Sequence, residues 1–274
     1  LYKMPISLTP FFRQYLERAY GALVQTETAR RWLSGTFRLD GDDFATGEPI
    51  EFVEGRVLQS EEFARLLMIF DGGRVHAQNQ LDFGPDMSPP GIYFTSVNRQ
   101  VIHQGHKNRI GLIRIDEAEQ GLFVENLEEP QPNEGNLAPG GETDYLQGLH
   151  VDHHYLADDA PHFLGTISFA LCAMTAHNLG FASISLIAGG GRGYNAQMIG
   201  YRYWPKVGFD AELFDGETAG VPHLVTCRTV QDVIARDAAW WSANGSQRLM
   251  EFDLREESTS WQKLLDYLDE KELI

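Results

Sequence analysis

The chain has 274 residues, 43% of them hydrophobic and 22% charged, ordinary globular usage that excludes wholesale disorder. Its 39 acidic and 22 basic residues leave a formal net charge of −17 at pH 7, so a duplex nucleic acid meets net repulsion and no nucleic-acid partner is expected. No apolar run approaches the roughly 18–20 residues of a membrane span, and no membrane partner is expected.

Only Cys172 and Cys227 are present, too few for a disulfide scaffold and compatible with a reducing, cytoplasmic setting. The opening Leu1-Tyr2-Lys3 lacks the charged-then-apolar layout of a signal peptide. We read one domain over 1–274. It has a helical N-terminal extension over 1–85, a core over 90–228 and a helical C-terminal extension over 229–274.

In chain order, Thr9-Pro10 reads as an N-cap and first helical residue, with Phe12, Leu16, Ala19 and Leu23 recurring at helical spacing. Ser60 reads as the cap of a second helix carrying Phe63, Leu66, Leu67 and Phe70, stopped by Gly72-Gly73. The proline- and glycine-rich stretch from Asp82 to Gly91 is a loop.

Ile92–Ile102, Arg109–Ile115 and Leu122–Leu127 are short and rich in β-branched or aromatic residues, as in an antiparallel meander. Glu128–Glu142 reads as a surface loop, and Tyr145–Leu156 as a fourth strand. Phe163, Leu164, Ile167, Leu171 and Met174 mark one face of a long helix ending near Leu179-Gly180. The continuous apolar run Ala182–Ala188 then predicts a strand buried on both faces, which completes a βαβ-like unit. Further on come a short helix up to Tyr203, strands around Val207–Phe214 and Leu224–Arg228, and helices at Thr229–Trp241 and Ser260–Leu268.

The segment Ala176-His177-Asn178-Leu179-Gly180-Phe181, an apolar strand, and then Trp204-Pro205-Lys206-Val207-Gly208-Phe209 resemble the second half of the GCN5-related N-acetyltransferase (GNAT) family. The family's helix ends A-x-x-x-G-F, and its next short helix closes on Y-x-K-x-G-F. The likeness covers about 65 residues by motif and about 140 by strand order. It implies an α/β (α+β) fold with a mixed, mainly antiparallel central sheet flanked by helices, and additional helices at both termini.

It also implies acetyl-coenzyme A or another acyl-coenzyme A as cofactor. Backbone amides of the strand before the long helix, at Leu149 and Val151, would meet the acyl carbonyl. The turn His162-Phe163-Leu164-Gly165-Thr166 would hold the pyrophosphate. Two departures stand out. His162 and Ile167 replace the family's Gln or Arg and its small residue, with Asp158 and Asp159 close upstream. Trp204 occupies the position of the family's thiolate-protonating tyrosine.

Attack of an amine on a thioester needs a base, a polarised carbonyl and an acid for the departing sulfur. Asp152, Glu125 and Asp144 are the candidate bases and Tyr203 the candidate acid; the plain alternative is solvated carboxylates and a packed aromatic. The acceptor expected is an amine of a small molecule or protein, cationic because the acidic chain would steer it in, and a homodimer is compatible with this reading.

No metal ligand is assigned. Even so, His150, His153, His154 and His162 lie among Asp152, Asp158 and Asp159. Strand alternation would place His150, Asp152 and His154 on one face and His153 on the other. A metal-dependent hydrolase built on this cluster is therefore one alternative, and a GNAT-shaped binding protein without coenzyme A is another. Gly189-Gly190-Gly191-Arg192-Gly193 could cradle phosphate or simply be a flexible loop.

Overall fold

A computed structural model of the chain describes residues 8–52, 56–116 and 145–274. The fold is α+β, a large and mostly antiparallel sheet flanked by helices. Its strands are β1 (Phe37–Leu39), β2 (Asp42–Phe44), β5 (Arg74–Gln80), β6 (Gly91–Val97), β7 (Asn108–Asp116), β8 (Tyr145–His153), β9 (Ser183–Gly191) and β10 (Ser246–Asp253). Their order across the sheet is β10-β9-β8-β7-β6-β5-β1-β2. A separate two-stranded ribbon joins β3 (Pro49–Glu51) to β4 (Val57–Gln59). Among the described residues, only β8 with β9 and β1 with β5 run parallel.

The helices are α1 (Glu17–Gln25), α2 (Glu27–Trp32), α3 (Ser60–Leu66), α4 (Leu164–Asn178), α5 (Gly200–Tyr203), α6 (Val230–Asn244) and α7 (Thr259–Glu270). A π-helical turn, Phe12–Leu16, leads into α1, and a 3-10 turn, Trp204–Val207, follows α5.

Helix α4 is the crossover between the parallel strands β8 and β9. Every residue from Leu164 to His177 except Gly165 is buried. The expected single apolar face is thus an underestimate, because α1, α2 and α3 pack on the side of α4 turned away from the sheet. A helix enclosed all round must be apolar all round. On the sheet side the cross-strand rows Phe94-Ile110-Val151-Leu186-Met250 and Leu112-Leu149-Ile184-Phe252 form its floor. At about 1.5–3 kcal/mol per fully buried large apolar side chain, this layer is the main source of stability. Phe209, after Gly208 at φ +104, plugs its end against Phe169, Trp204 and Phe252 at 5.2–5.7 Å.

Several expectations need correction. The N-terminal third is not all helical, since β1, β2 and β5 extend the main sheet. Val207–Phe214 makes only isolated bridges, Asp210 to Glu251 and Glu212 to Thr229, and Leu224–Arg228 is turn and irregular chain, so neither is a strand. The C-terminal extension contributes the edge strand β10. Its buried Arg248 lies between the rings of Phe214 and Trp241 at 4.3 and 4.8 Å and pairs with Glu217. A guanidinium stacked between aromatics satisfies an inward strand position that the sequence pattern marks as polar. The expected strand Leu122–Leu127 and loop Glu128–Glu142 lie outside the described residues.

Candidate functional site at the parted strands

The pairing of β8 with β9 runs from Gly148–Ser183 to Val151–Leu186 and stops there. Strand β8 continues to His153 along β7, while β9 continues to Gly191 along β10. The two neighbours therefore part in the middle of the sheet, leaving unpaired strand edges that face one another.

The parting coincides with a β-bulge. Ile110 is opposite Val151, but Arg109 is opposite His153, so Asp152 is the additional residue. One inserted residue inverts the side-chain alternation beyond it. His150, Asp152 and His153 consequently share one face, and His154 turns to the other. The expected one-face set of His150, Asp152 and His154 is corrected by this single insertion.

On the polar face, cross-strand register lines up Tyr93, Gly111, His150 and Ser185. Gly111 leaves room for the Tyr93 ring, which an added Cβ would meet at 2.4 Å. Arg109 lies 3.7 Å from the centre of that ring. The guanidinium donates to Gln80 Oε1 and to Asp152 Oδ2, both at 2.6 Å. His153 Nδ1 lies 2.9 Å from the same Asp152 oxygen, and its Nε2 is 3.8 Å from Asp86 Oδ2.

Burial alone would raise the Asp152 carboxyl, but hydrogen bonds from His153 and Arg109 overcome it and hold the pKa below the ordinary value. The hydrogen bond to Asp152 in turn raises His153, with Asp86 adding to the effect. Deeper in the row, His150 Nδ1 bonds Ser185 Oγ at 2.9 Å, and that hydroxyl donates to the Leu149 carbonyl. Burial brings the His150 pKa down to about 4, so it is neutral.

On the opposite face the end of β8 meets the start of α4. His154 lies near Phe70 and Trp204, with neither ring nitrogen hydrogen-bonded. Burial lowers its pKa to about 4. Its Nε2 is 3.8 Å from where a Cβ on Gly165 would stand. Phe163, the N-cap of α4, takes a left-handed backbone at φ +63, an unfavourable conformation for a bulky residue. Leu164 N and Ile167 N donate to Pro161 and Phe163 carbonyls. Among the described residues, the amides of Gly165 and Thr166 have no acceptor, the usual condition of a helix first turn and one suited to an anion.

Tyr203 reaches this turn from α5, its hydroxyl 3.1 Å from Thr166 Oγ1. Burial lifts its pKa to about 12, so it keeps its proton at neutral pH. Trp204 points into the core against Phe169 and Phe209.

Of the sequence candidates, Asp152 and Val151 sit at the parting, Leu149 lies two residues inside the paired stretch between Leu112 and Ile184, and Phe163, Leu164, Gly165, Thr166 and Tyr203 cluster at the α4 first turn. The side chains of Leu149 and Val151 belong to the core, and Leu149 has strands on both sides, so the expected amide role is left to the backbone from Val151 onward. His162 is exposed, with its ring against Phe163. Glu125 and Asp144 lie outside the described residues.

Sequence reasoning missed Arg109, Gln80 and Asp86, which no local motif marks, and it placed His153 on the wrong face. The glycine run is also explained differently. Residues 189–191 belong to β9, and an added Cβ at Gly190 (φ +101) would fall 1.9 Å from the Met198 carbonyl oxygen. Close passage of the chain at Met198–Gly200 requires Gly189 and Gly190, and that of Gly245–Ser246 requires Gly191.

The four histidines do not converge. Among the described residues the ligand-type group with metal-binding spacing is Asp86, Asp152 and His153, and Arg109 already occupies Asp152. No helix of the described residues is long and apolar enough to cross a membrane. No family model, curated protein or solved structure matches the chain.

Proposed function

We propose that the protein is an acyl-coenzyme A-dependent N-acyltransferase acting on a cationic amine of a small molecule or protein. The observation that carries this reading is the parting of the parallel strands β8 and β9 at the Asp152 bulge, beside the first turn of α4. An extended pantetheine arm could pair with the opened strand edges. The free amides of Gly165 and Thr166, at the positive end of a 15-residue helix, suit a pyrophosphate. Coenzyme A would supply the activated thioester.

The remaining parts fall to this chain's own groups. Backbone at the bulge beyond Val151 would polarise the acyl carbonyl, and the neutral Tyr203 hydroxyl can hand a proton to the leaving sulfur. The net charge of −17 favours a cationic acceptor over an acidic one. The free, buried cysteines Cys172 and Cys227 suit a cytoplasmic location.

The test is calorimetric titration with coenzyme A and acetyl-coenzyme A, followed by thiol release in the presence of primary amines. Binding with release is the expected result. Absence of heat at millimolar coenzyme A ends the proposal.

A further inference from the structure

The polar face of the parting carries an imidazole that is oriented on one side and open on the other. His153 stands on the first residue past the bulge, two residues beyond the last β8–β9 pair. Its Nδ1 is fixed on Asp152, whose side chain is only 5% exposed. With that proton committed to a carboxylate, the neutral ring presents a lone pair at Nε2. The ring is 30% exposed, and Nε2 faces Asp86, itself 68% exposed, across 3.8 Å.

Arg109, stacked on Tyr93, donates to the same Asp152 Oδ2 that His153 Nδ1 contacts, which restrains the carboxylate beside the ring. The titratable and charged groups around His153 are Asp152 and His150 of β8, Arg109 of β7, Asp86 of the loop before β6, and the Tyr155 ring at 5.9 Å. A base oriented by a buried acid, with a solvent-facing carboxylate opposite, is an arrangement for receiving a proton from a cation.

We propose that His153 is the general base of the transfer, that Asp152 and Arg109 are positioning residues, and that Asp86 seats the ammonium of the acceptor. This inference rests on the acyltransferase reading and names its base. The ammonium nitrogen loses one proton to His153 Nε2. The freed amine forms a C–N bond to the acyl carbon as the C–S bond breaks, its second proton ends on the sulfur, and the proton on His153 passes to solvent. Asp152, tied to two donors and lowered in pKa, is the poorer base of the pair.

The experiment joins a binding-independent measurement to kinetics. Side-chain NMR titration of the ligand-free protein should show a His153 pKa above the ordinary 6.5, falling in Asp86→Asn. In thiol-release assays, kcat/KM should rise with pH through that same pKa. His153→Ala should lose about 10²–10³-fold in kcat/KM together with that pH dependence, and added imidazole should restore part of the rate. His153→Gln, which keeps a side chain on Asp152, should lose as much without rescue. Asp86→Asn should raise KM for a cationic amine about 2–5-fold, the range of an exposed ion pair.

If coenzyme A binds and thiol is released but His153→Ala keeps the wild-type pH profile, the base assignment is overturned and the acyltransferase reading stands. Activity that a chelator abolishes and zinc restores makes Asp86, Asp152 and His153 ligands instead, and also overturns it. No release by the wild-type chain with any amine overturns both.

Discussion

Replacing Gly111 by alanine puts a methyl group 2.4 Å from Tyr93 Cε1, 2.6 Å from Cζ and 2.8 Å from Cδ1. These are far inside van der Waals contact, and the ring has nowhere cheap to go. It is fully buried, its hydroxyl donates to the Pro89 carbonyl at 2.7 Å, and Arg109 covers its other side. Overpacking a tight site costs about 1–3 kcal/mol. Displacing the ring adds about 1 kcal/mol for the hydroxyl bond and up to about 2 kcal/mol for the desolvated cation–π contact. Replacing a strand glycine returns about 0.5–1 kcal/mol, so the net loss expected is about 1–5 kcal/mol.

Urea unfolding at pH 7 measures it, and a double-mutant cycle isolates the cause. In a Tyr93→Leu background the ring is gone, and Gly111→Ala should be neutral or mildly stabilising. A loss below about 1 kcal/mol, or an equal loss in both backgrounds, refutes the packing argument.

Arg248→Met should destabilise by about 3–5 kcal/mol, because it leaves the largely enclosed Glu217 carboxylate, 13% exposed, without its ion partner. Thermal melts should show part of this recovered by a second change, Glu217→Gln. His150 and His154 have folded pKa values near 4, against 6.5 in an unfolded chain. Above pH 6.5 neither ring binds a proton in either state. As pH falls from 6.5 to 4 the unfolded chain takes protons that the fold refuses, and about 3 kcal/mol per residue is lost. His154→Leu should therefore flatten the decline of stability in that window by about half, and an unchanged decline would show that His154 is not buried neutral. Tyr203→Phe should lower kcat about 10²-fold at unchanged coenzyme A affinity in calorimetry; full activity would remove Tyr203 as the acid.

Local chemistry made much of the fold legible. Thr9 accepts from Phe12 N, and Thr229 and Asp232 form the expected capping box of α6. Arg109–Ile115 lies in a strand as its β-branched content predicts, the strand expected over Tyr145–Leu156 runs to His153, the apolar run Ala182–Ala188 falls in β9 from Ser183 onward, and 164–178 is the long helix between the last two. Strand β10 was hidden because Arg248 sits at an inward position beside Met250 and Phe252. Strands β1, β2 and β5 were hidden by their brevity or by polar residues such as those of Arg74–Gln80.

The candidate site divides along the same line. The amides at Gly165 and Thr166 follow from helix geometry, whereas Tyr203 meets Thr166 only through tertiary packing, 37 positions apart. The Asp152–His153 pair required the bulge, and a bulge depends on how two strands register across the sheet, which no single segment encodes.

By itself, then, the amino-acid order determined the elements whose cause is local: caps, apolar periodicity, a buried run between turns, and an acidic charge that repels polyanions. Tertiary structure alone decided which strands became neighbours, where β8 and β9 part, and which face His153 and His154 occupy. Those outcomes depend on pairings between residues tens of positions apart, where one inserted residue exchanges the core for the polar face.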